Sequence, residues 1–225
     1  MRPLTAVLIV ALVAAPSTAR ANGESGGGPP TAFERFVLSA CAPCVRESYP
    51  VASLATAPLA LPGFPRAAAG AASRPGEVAI EVLRAQQLGR RDWTSLALRM
   101  SLSVMPSPGG EPYRLGIGLL DGSDVRALAL AVAEMVQIAS VPPANPGAAS
   151  TDVDFHGGSL RVGVLRIRGE AVAYVQAGDL PTLMQRAVWE VPTTLYLPVT
   201  DLAALAAALS QAAATIETLR GNRQP

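Results

Sequence analysis

The chain has 225 residues, of which 50% are apolar and only 16% are charged. This composition describes one large globular domain or two small ones, and it excludes a disordered tail, a collagen and a coiled coil. The 18 basic residues are all Arg and are balanced by 17 acidic residues, so the excess of positive charge typical of a nucleic-acid-binding surface is missing. One His, two Cys and no Lys exclude a His-rich metal cage, a Lys Schiff base and a four-Cys zinc ribbon. We therefore expect no nucleic-acid partner and no cofactor.

The N-terminus has the three parts of a secretory signal peptide. Arg2 supplies the charge, residues 4–16 form a short apolar run, and a small-x-small cleavage site ends at Ala21. The run is shorter than the about 20 apolar residues that span a bilayer. We expect residues 1–21 to be removed, the mature chain to have no transmembrane span, and the protein to be periplasmic or extracellular.

Residues 38–41, Leu-Ser-Ala-Cys, leave a second form of export open. They have the form of a bacterial lipoprotein cleavage box, in which the Cys becomes lipidated. Such a box normally follows the apolar run directly, whereas a polar stretch rich in Gly and Pro intervenes here. Lipid anchoring at Cys41 is therefore the minor alternative.

Composition and hydrophobic periodicity divide the chain into terminal segments, two folded units and a connector. We assign a signal peptide to 1–21, a flexible leader to 22–32, the Cys pair and a Pro- and Ala-rich strap to 33–76, a first unit to 77–140, a Pro-rich connector to 141–151, a second unit to 152–220 and a disordered tail to 221–225. The prolines of the strap forbid a helix of ordinary length. Its apolar residues, Leu59 among them, favour a strap that lies along the domain.

Alternating apolar residues predict three strands in the first unit, the last two of which form a hairpin. The predicted apolar faces are Val78, Ile80 and Val82; Leu96, Leu98, Met100, Leu102 and Val104; and Tyr113, Leu115, Ile117 and Leu119. Gly116 and Gly118 alternate with the third set, and we expect another element to pack closely against them. Asp124 then caps an amphipathic helix that ends before Pro142.

The second unit repeats this plan. Strands are predicted from 152 to 199, with a bulge at Val164-Leu165, and Thr200-Asp201 caps a final helix with a leucine-rich seam. The stretches that begin at Asp124 and Asp201 are also similar in sequence, which favours an internal duplication. The predicted fold class is therefore α+β, with two antiparallel β-sheet-plus-C-terminal-helix units of ββββα type. In each unit we expect the helix to lie on one face of its own sheet.

Strands followed by one helix, repeated once, resemble the order of elements in the Whirly, Pur and related single-stranded-nucleic-acid-binding folds. The resemblance covers residues 77–219 and lies in topology alone. It implies two sheets that pair into a pseudo-twofold body. Because fold does not imply function, and because the neutral charge and predicted export disfavour nucleic acid, we expect a protein or another envelope component as the partner.

Cys41-Ala-Pro-Cys44 is the sharpest local motif. In an exported protein, two lone cysteines at this spacing favour an intramolecular disulfide, which we predict here. So short a loop stabilises a fold by only about 2 kcal/mol in the chain-entropy model. A catalytic role for the pair therefore stays open.

That role is thiol–disulfide exchange, with Cys41 as the attacking thiol at a helix N-terminus and Cys44 as the resolving thiol. Residues 191–195, Val-Pro-Thr-Thr-Leu, resemble the proline element that faces the Cys pair in thioredoxin-like proteins. Residues 36–40 would be the leading strand. The resemblance implies that Pro192 lies beside the cysteines with a cis peptide bond.

Asp152, Asp154 and His156 alternate along the chain, so a strand would direct all three side chains to one face. Such a row of donors is a candidate metal site, and His156 is the only histidine that a catalytic triad could use. The plainer interpretation is a solvated strand face opposite Val153 and Phe155.

Residues 90–93, Arg-Arg-Asp-Trp, mark a turn with an aromatic residue, and Arg161, Arg166 and Arg168 decorate another strand. Arginines in such places are either solvated or bind an anionic surface. The sequence thus favours an exported, non-enzymatic binding, scaffold or envelope-associated domain. The alternative is a periplasmic thiol–disulfide oxidoreductase.

Overall fold

The computed structural model describes residues 31–60 except 40 and 42, 75–104 except 91 and 92, 113–141, 150–178 except 168, and 194–221. The predicted signal peptide, nearly all of the leader, residues 61–74 of the strap and most of the connector lie outside these residues. Pro192 and Arg168 also lie outside them, as does most of the C-terminal tail.

The described residues form two antiparallel sheets and three α-helices. In chain order the elements are α1 (Ala32–Ser39), β1 (Cys44–Thr56), β2 (Gly76–Gln87), β3 (Thr94–Val104), β4 (Tyr113–Asp121), α2 (Val125–Ser140), β5 (Ser150–Gly157), β6 (Leu160–Ile167), β7 (Glu170–Ala177), β8 (Thr194–Leu197) and α3 (Leu202–Gly221). Strands β1 to β4 form sheet A and β5 to β8 form sheet B, each in sequential order. The predicted α+β class, with two antiparallel sheets and a C-terminal helix, is confirmed.

Sheet A begins earlier in the chain than predicted. Residues 44–56, assigned above to the Cys segment and the strap, form edge strand β1, which pairs with β2. The first sheet therefore starts at Cys44 rather than at residue 77. Pro50 is compatible with this strand because an edge strand has one side free of ladder hydrogen bonds, and the register shifts between Pro50 and Ala52.

The predicted apolar faces of β2 and β3 are confirmed, since all eight of their residues are buried. In β4 the predicted face is wrong: Gly116, Gly118 and Leu120 are buried, whereas Leu115 and Ile117 are only partly buried. The close approach of another element, expected at Gly116 and Gly118, is found at Gly118, which faces sheet B. A Cβ on Gly118 would lie 2.6 Å from Cγ of Leu160.

The bulge predicted at Val164-Leu165 is also wrong. The ladders on both sides of β6 run in continuous register. In sheet A, by contrast, a shift separates Leu102 from Ser103. Val164 is buried and Leu165 partly buried, and Leu165 packs instead against Val172 on the outer face of sheet B. Val164 and Leu165 thus lie on opposite faces of one regular strand, Val164 in the core and Leu165 on the outer face.

The two helices that follow the sheets are exchanged between the units. We expected each helix to lie on its own sheet, but α2 approaches β5 and β6, and α3 approaches β1 and β2. Strands β3 and β4 of sheet A contact β7 and β8 of sheet B directly. This part of the core face of sheet A is therefore covered by sheet B and not by α2. Arg166 of β6 strengthens the exchange, because its guanidinium donates to the carbonyl oxygens of Val141 at 2.9 Å and Ala139 at 3.1 Å, near the C-terminus of α2.

One apolar core runs through both sheets and both exchanged helices. Most of the predicted seam residues are buried: they are Val125, Leu128, Val132 and Met135 in α2, and Leu202, Leu205, Leu209, Ala212 and Ile216 in α3. The other predicted members, Val136, Ala139 and Leu219, are partly buried. Residues 199–221 have the length and apolar composition of a membrane helix, with a hydropathy of 1.4. The core helix of a soluble protein has the same composition, and the seam of α3 is buried in this core.

Candidate functional site

Helix α1 is fixed at its N-terminus by three side chains. Thr31 and Glu34 form a capping box, in which the Thr31 N–H donates to Oε2 of Glu34 at 2.7 Å and the Glu34 N–H donates to Oγ1 of Thr31 at 3.1 Å. Asp121, the last residue of β4, accepts the N–H groups of Ala32 and Phe33 at 2.8 and 2.9 Å. These contacts set α1 across the outer face of sheet A, where Phe33 packs with Ala85 and Ala97.

The two cysteines join the end of α1 to the start of β1. Cys41 and Cys44 form a disulfide with their Cα atoms 5.0 Å apart. The Cys41 N–H donates to the carbonyl oxygen of Phe36 at 3.0 Å, and Cys41 is buried beside α1. The disulfide therefore ties the helix to the edge of sheet A.

This position differs from the one that thiol–disulfide exchange requires. Residues 36–39, expected as the leading strand, belong to α1, and Cys44 begins a strand rather than a helix. The pair thus follows a helix C-terminus, where the dipole does not stabilise a thiolate. Pro192 lies outside the described residues.

Four large apolar side chains are exposed at the same end of sheet A, and we call them the apolar tip: Leu38 (83% exposed), Leu88 (61%), Val45 (41%) and Trp93 (39%). Backbone hydrogen bonds fix the turn that carries Leu88 and Trp93. The Leu88 N–H donates to the carbonyl oxygen of Pro43 at 2.9 Å, and the Gln87 N–H donates to that of Trp93 at 3.0 Å. Leu38 lies in the last turn of α1, next to the disulfide.

Arginines accompany the apolar tip. The guanidinium of Arg90 lies over the ring of Trp93, 3.8 Å from its centroid. Arg46, on β1 beside Val45, is exposed. Among the described residues neither arginine forms a salt bridge, whereas Glu47 is paired with Arg84 at 3.3 Å. The tip thus combines exposed apolar side chains with positive charge.

The candidate metal residues lie on the outer face of sheet B. The side chains of Asp152, Asp154 and His156 are exposed and alternate along β5. Arg161 on β6 donates to carboxylate oxygens of both aspartates at 2.7 Å, and the Tyr174 hydroxyl donates to Asp152 at 2.9 Å. Among the residues that the structure describes, no group of three or more His, Cys, Asp or Glu side chains is arranged to hold a metal ion.

This network includes a tyrosine whose ionisation is suppressed. Burial, and then the hydrogen bond to Asp152, raise the pKa of Tyr174 above its usual value. Its ring lies across Gly163, where a Cβ would be 2.7 Å from the Tyr174 ring. Gly163 therefore makes room for the neutral Tyr174 phenol, which links β7 to β5. The carboxylates of Asp152 and Asp154 form hydrogen bonds between strands of the sheet.

Sequence reasoning missed the apolar tip as a unit, because its members come from three separate segments. It also did not predict what the strap covers. Leu59 packs on the outer face of sheet B against an apolar patch of Val172, Leu165, Ile167 and Tyr196, and burial raises the pKa of Tyr196. The sequence signal was the set of apolar residues among the prolines of the strap, of which Leu59 is one.

No protein-family model matches the chain, and a search of curated proteins finds no significant match.

Proposed function

We propose that the mature protein is an exported, non-enzymatic binding domain that attaches to the cell envelope through the apolar tip. The observation that carries this proposal is the concentration of four exposed large apolar side chains at one end of sheet A. Contiguous exposed apolar surface on a soluble domain marks an interaction site. Burial of that surface against a partner supplies the free energy of attachment.

The fold presents the tip rigidly. The disulfide joins the end of α1 to β1, and Asp121 holds the other end of the helix. A surface that is already ordered loses little conformational entropy when it binds. This gives the short disulfide a purpose that does not involve exchange chemistry.

The predicted export agrees with this role. The signal peptide of residues 1–21 would deliver the chain to the periplasm or beyond, where disulfides form and persist. A disulfide that orders the binding surface is then stable in the compartment where the surface works.

We also infer that the two units arose by internal duplication. Equivalent helix positions, 77 residues apart in the sequence, are buried: Val125 and Leu202, Leu128 and Leu205, Val132 and Leu209, and Met135 and Ala212. The turn between β6 and β7 is short. The longer turn from Leu88 to Trp93, at the corresponding place in the first unit, is then an addition that created the tip.

Cell fractionation tests the proposed attachment. The full chain would be expressed in a Gram-negative bacterium beside the variant Leu38→Asp/Leu88→Asp. We expect the wild type in the membrane fraction and the variant in the soluble periplasm. The matched control is Leu130→Asp/Ile138→Asp on α2, where the side chains are 59% and 44% exposed, and it should stay with the membranes. A soluble wild type, or equal release of both variants, contradicts the proposal.

A further inference from the structure

We propose that the partner of the apolar tip is an anionic phospholipid surface. This inference rests on the proposed attachment to the envelope and names its chemistry. Three features of the tip support it: the kind of apolar side chain that it exposes, the arginines beside these side chains, and the openness of the turn.

The apolar side chains suit a membrane interface. Leu38 and Leu88 project into solvent from the end of a helix and from a hairpin turn, at 83% and 61% exposure. Trp93 has an apolar ring and a polar N–H, and tryptophan is enriched where hydrocarbon meets headgroups. A turn at the end of a sheet can enter a bilayer without a matching pocket.

Arg90 and Arg46 favour lipids with anionic headgroups. Arg90 stacks on Trp93 at 3.8 Å, so its guanidinium accompanies the ring to the interface. A guanidinium binds phosphate oxygens through two parallel hydrogen bonds. Arg46 adds a second positive charge, and its neighbour in sequence, Glu47, accepts from Tyr49 at 2.7 Å as well as from Arg84. Arg91 and Asp92, which have opposite charges, lie outside the described residues.

The openness of the turn favours a lipid surface over a protein pocket. The turn bends at Gly89, whose φ is 81°, and an added Cβ there would have no neighbour within 4 Å. Leu88 beside it is 61% exposed, so the described part of the turn is open to solvent. An anionic bilayer complements the positive charge of Arg46 and Arg90 and needs no matching pocket.

Vesicle sedimentation tests this inference. The mature chain would be mixed with vesicles of phosphatidylglycerol and phosphatidylethanolamine, and with vesicles of phosphatidylcholine alone. We expect binding to the anionic vesicles that weakens with salt. The variant Arg46→Gln/Arg90→Gln should bind at least about tenfold more weakly. The variant Leu38→Asp should also bind weakly, and because Leu38 is 83% exposed this variant should fold even if a change at Leu88 does not.

The control is Leu130→Asp on α2, which should bind like the wild type. Equal binding to phosphatidylcholine, or full binding by the arginine variant, overturns the lipid proposal. If vesicles fail to bind but attachment in cells still depends on the tip, the partner is an envelope protein and only this inference is lost. If cellular attachment is also independent of the tip, the proposed function is lost with it.

Discussion

Gly118 shows how one missing side chain lets two sheets meet. A Cβ there would lie 2.6 Å from Cγ of Leu160 and 3.1 Å from the carbonyl oxygen of Ser159. The same contact is completed by Ser159, whose N–H and Oγ pair with the backbone of Leu119 at 3.0 and 2.8 Å. The junction therefore has no spare volume.

We predict that Gly118→Ala lowers the free energy of unfolding by about 1–3 kcal/mol, because it overpacks this junction. Gly221→Ala is the matched control, since an added Cβ at Gly221 has no neighbour within 4 Å. It should change stability by less than about 1 kcal/mol. Chemical denaturation of both variants measures the difference, and equal effects would disprove close packing at Gly118.

Because of Tyr174, the free energy of unfolding should fall as the pH becomes alkaline. Burial and Asp152 raise its pKa in the folded state, so the unfolded chain loses the phenolic proton first. The contribution of the neutral phenol is complete below about pH 10 and decreases as the pH rises above that value.

We predict that Tyr174→Phe costs about 1 kcal/mol at neutral pH, through the lost hydrogen bond to Asp152. It should also reduce the loss of stability between about pH 8 and about pH 11. Urea denaturation of the wild type and of Tyr174→Phe at about pH 8 and at about pH 11 measures the loss of stability in each protein. Parallel declines in wild type and variant would show that Tyr174 does not contribute to the pH dependence.

At the scale of single elements, the two aspartates around the β4–α2 turn have different roles. Asp124, predicted to cap α2, makes no side-chain cap hydrogen bond. Asp121 instead caps α1, a helix far from it in sequence. Local sequence identified the right residue type for a cap but not the helix that it serves, because that depends on the tertiary fold.

We predict that Asp121→Ala speeds amide hydrogen exchange in α1 and costs about 1 kcal/mol, the usual effect of a lost N-cap. Asp124→Ala should leave exchange in α1 unchanged. Exchange measured by mass spectrometry after proteolysis distinguishes the two variants. If both behave alike, Asp121 is not what holds the helix.

The strands were predictable where one face alternates regularly, as in β2 and β3. Prediction failed in β1, since Pro50 and the charged residues around it are typical of a loop and are tolerated only at a sheet edge. It failed in β4 because the core side carries glycines, whose burial comes from the second sheet. Both errors arise from partners that are distant in sequence.

At the scale of the whole molecule, helix exchange makes each unit depend on the other. On the core face of sheet A, α3 covers β1 and β2, and α2 lies against β5 and β6 of sheet B. The repeat of sheet and helix was visible in the sequence, but the exchange was not, since the same apolar seams would also fit a helix on its own sheet. The apolar tip was hidden for a similar reason: its residues converge only in the folded chain.

We predict that the two units stay together without a covalent connection. A protease site inserted in the segment 142–149 of the full chain would be cut, and the products run on a sizing column. Because α2 and α3 each pack on the opposite sheet, the fragments should elute as one species in buffer and separate in denaturant. Separate elution in buffer would contradict the exchanged arrangement.

The most direct test of membrane attachment is the fluorescence of Trp93. The chain has two tryptophans, so Trp189→Phe leaves Trp93 as the single reporter. We predict a blue shift of its emission when vesicles containing phosphatidylglycerol are added, and no shift with phosphatidylcholine, because the tip enters only an anionic surface. An unchanged spectrum with both kinds of vesicle would contradict the attachment of this protein to membranes through its apolar tip.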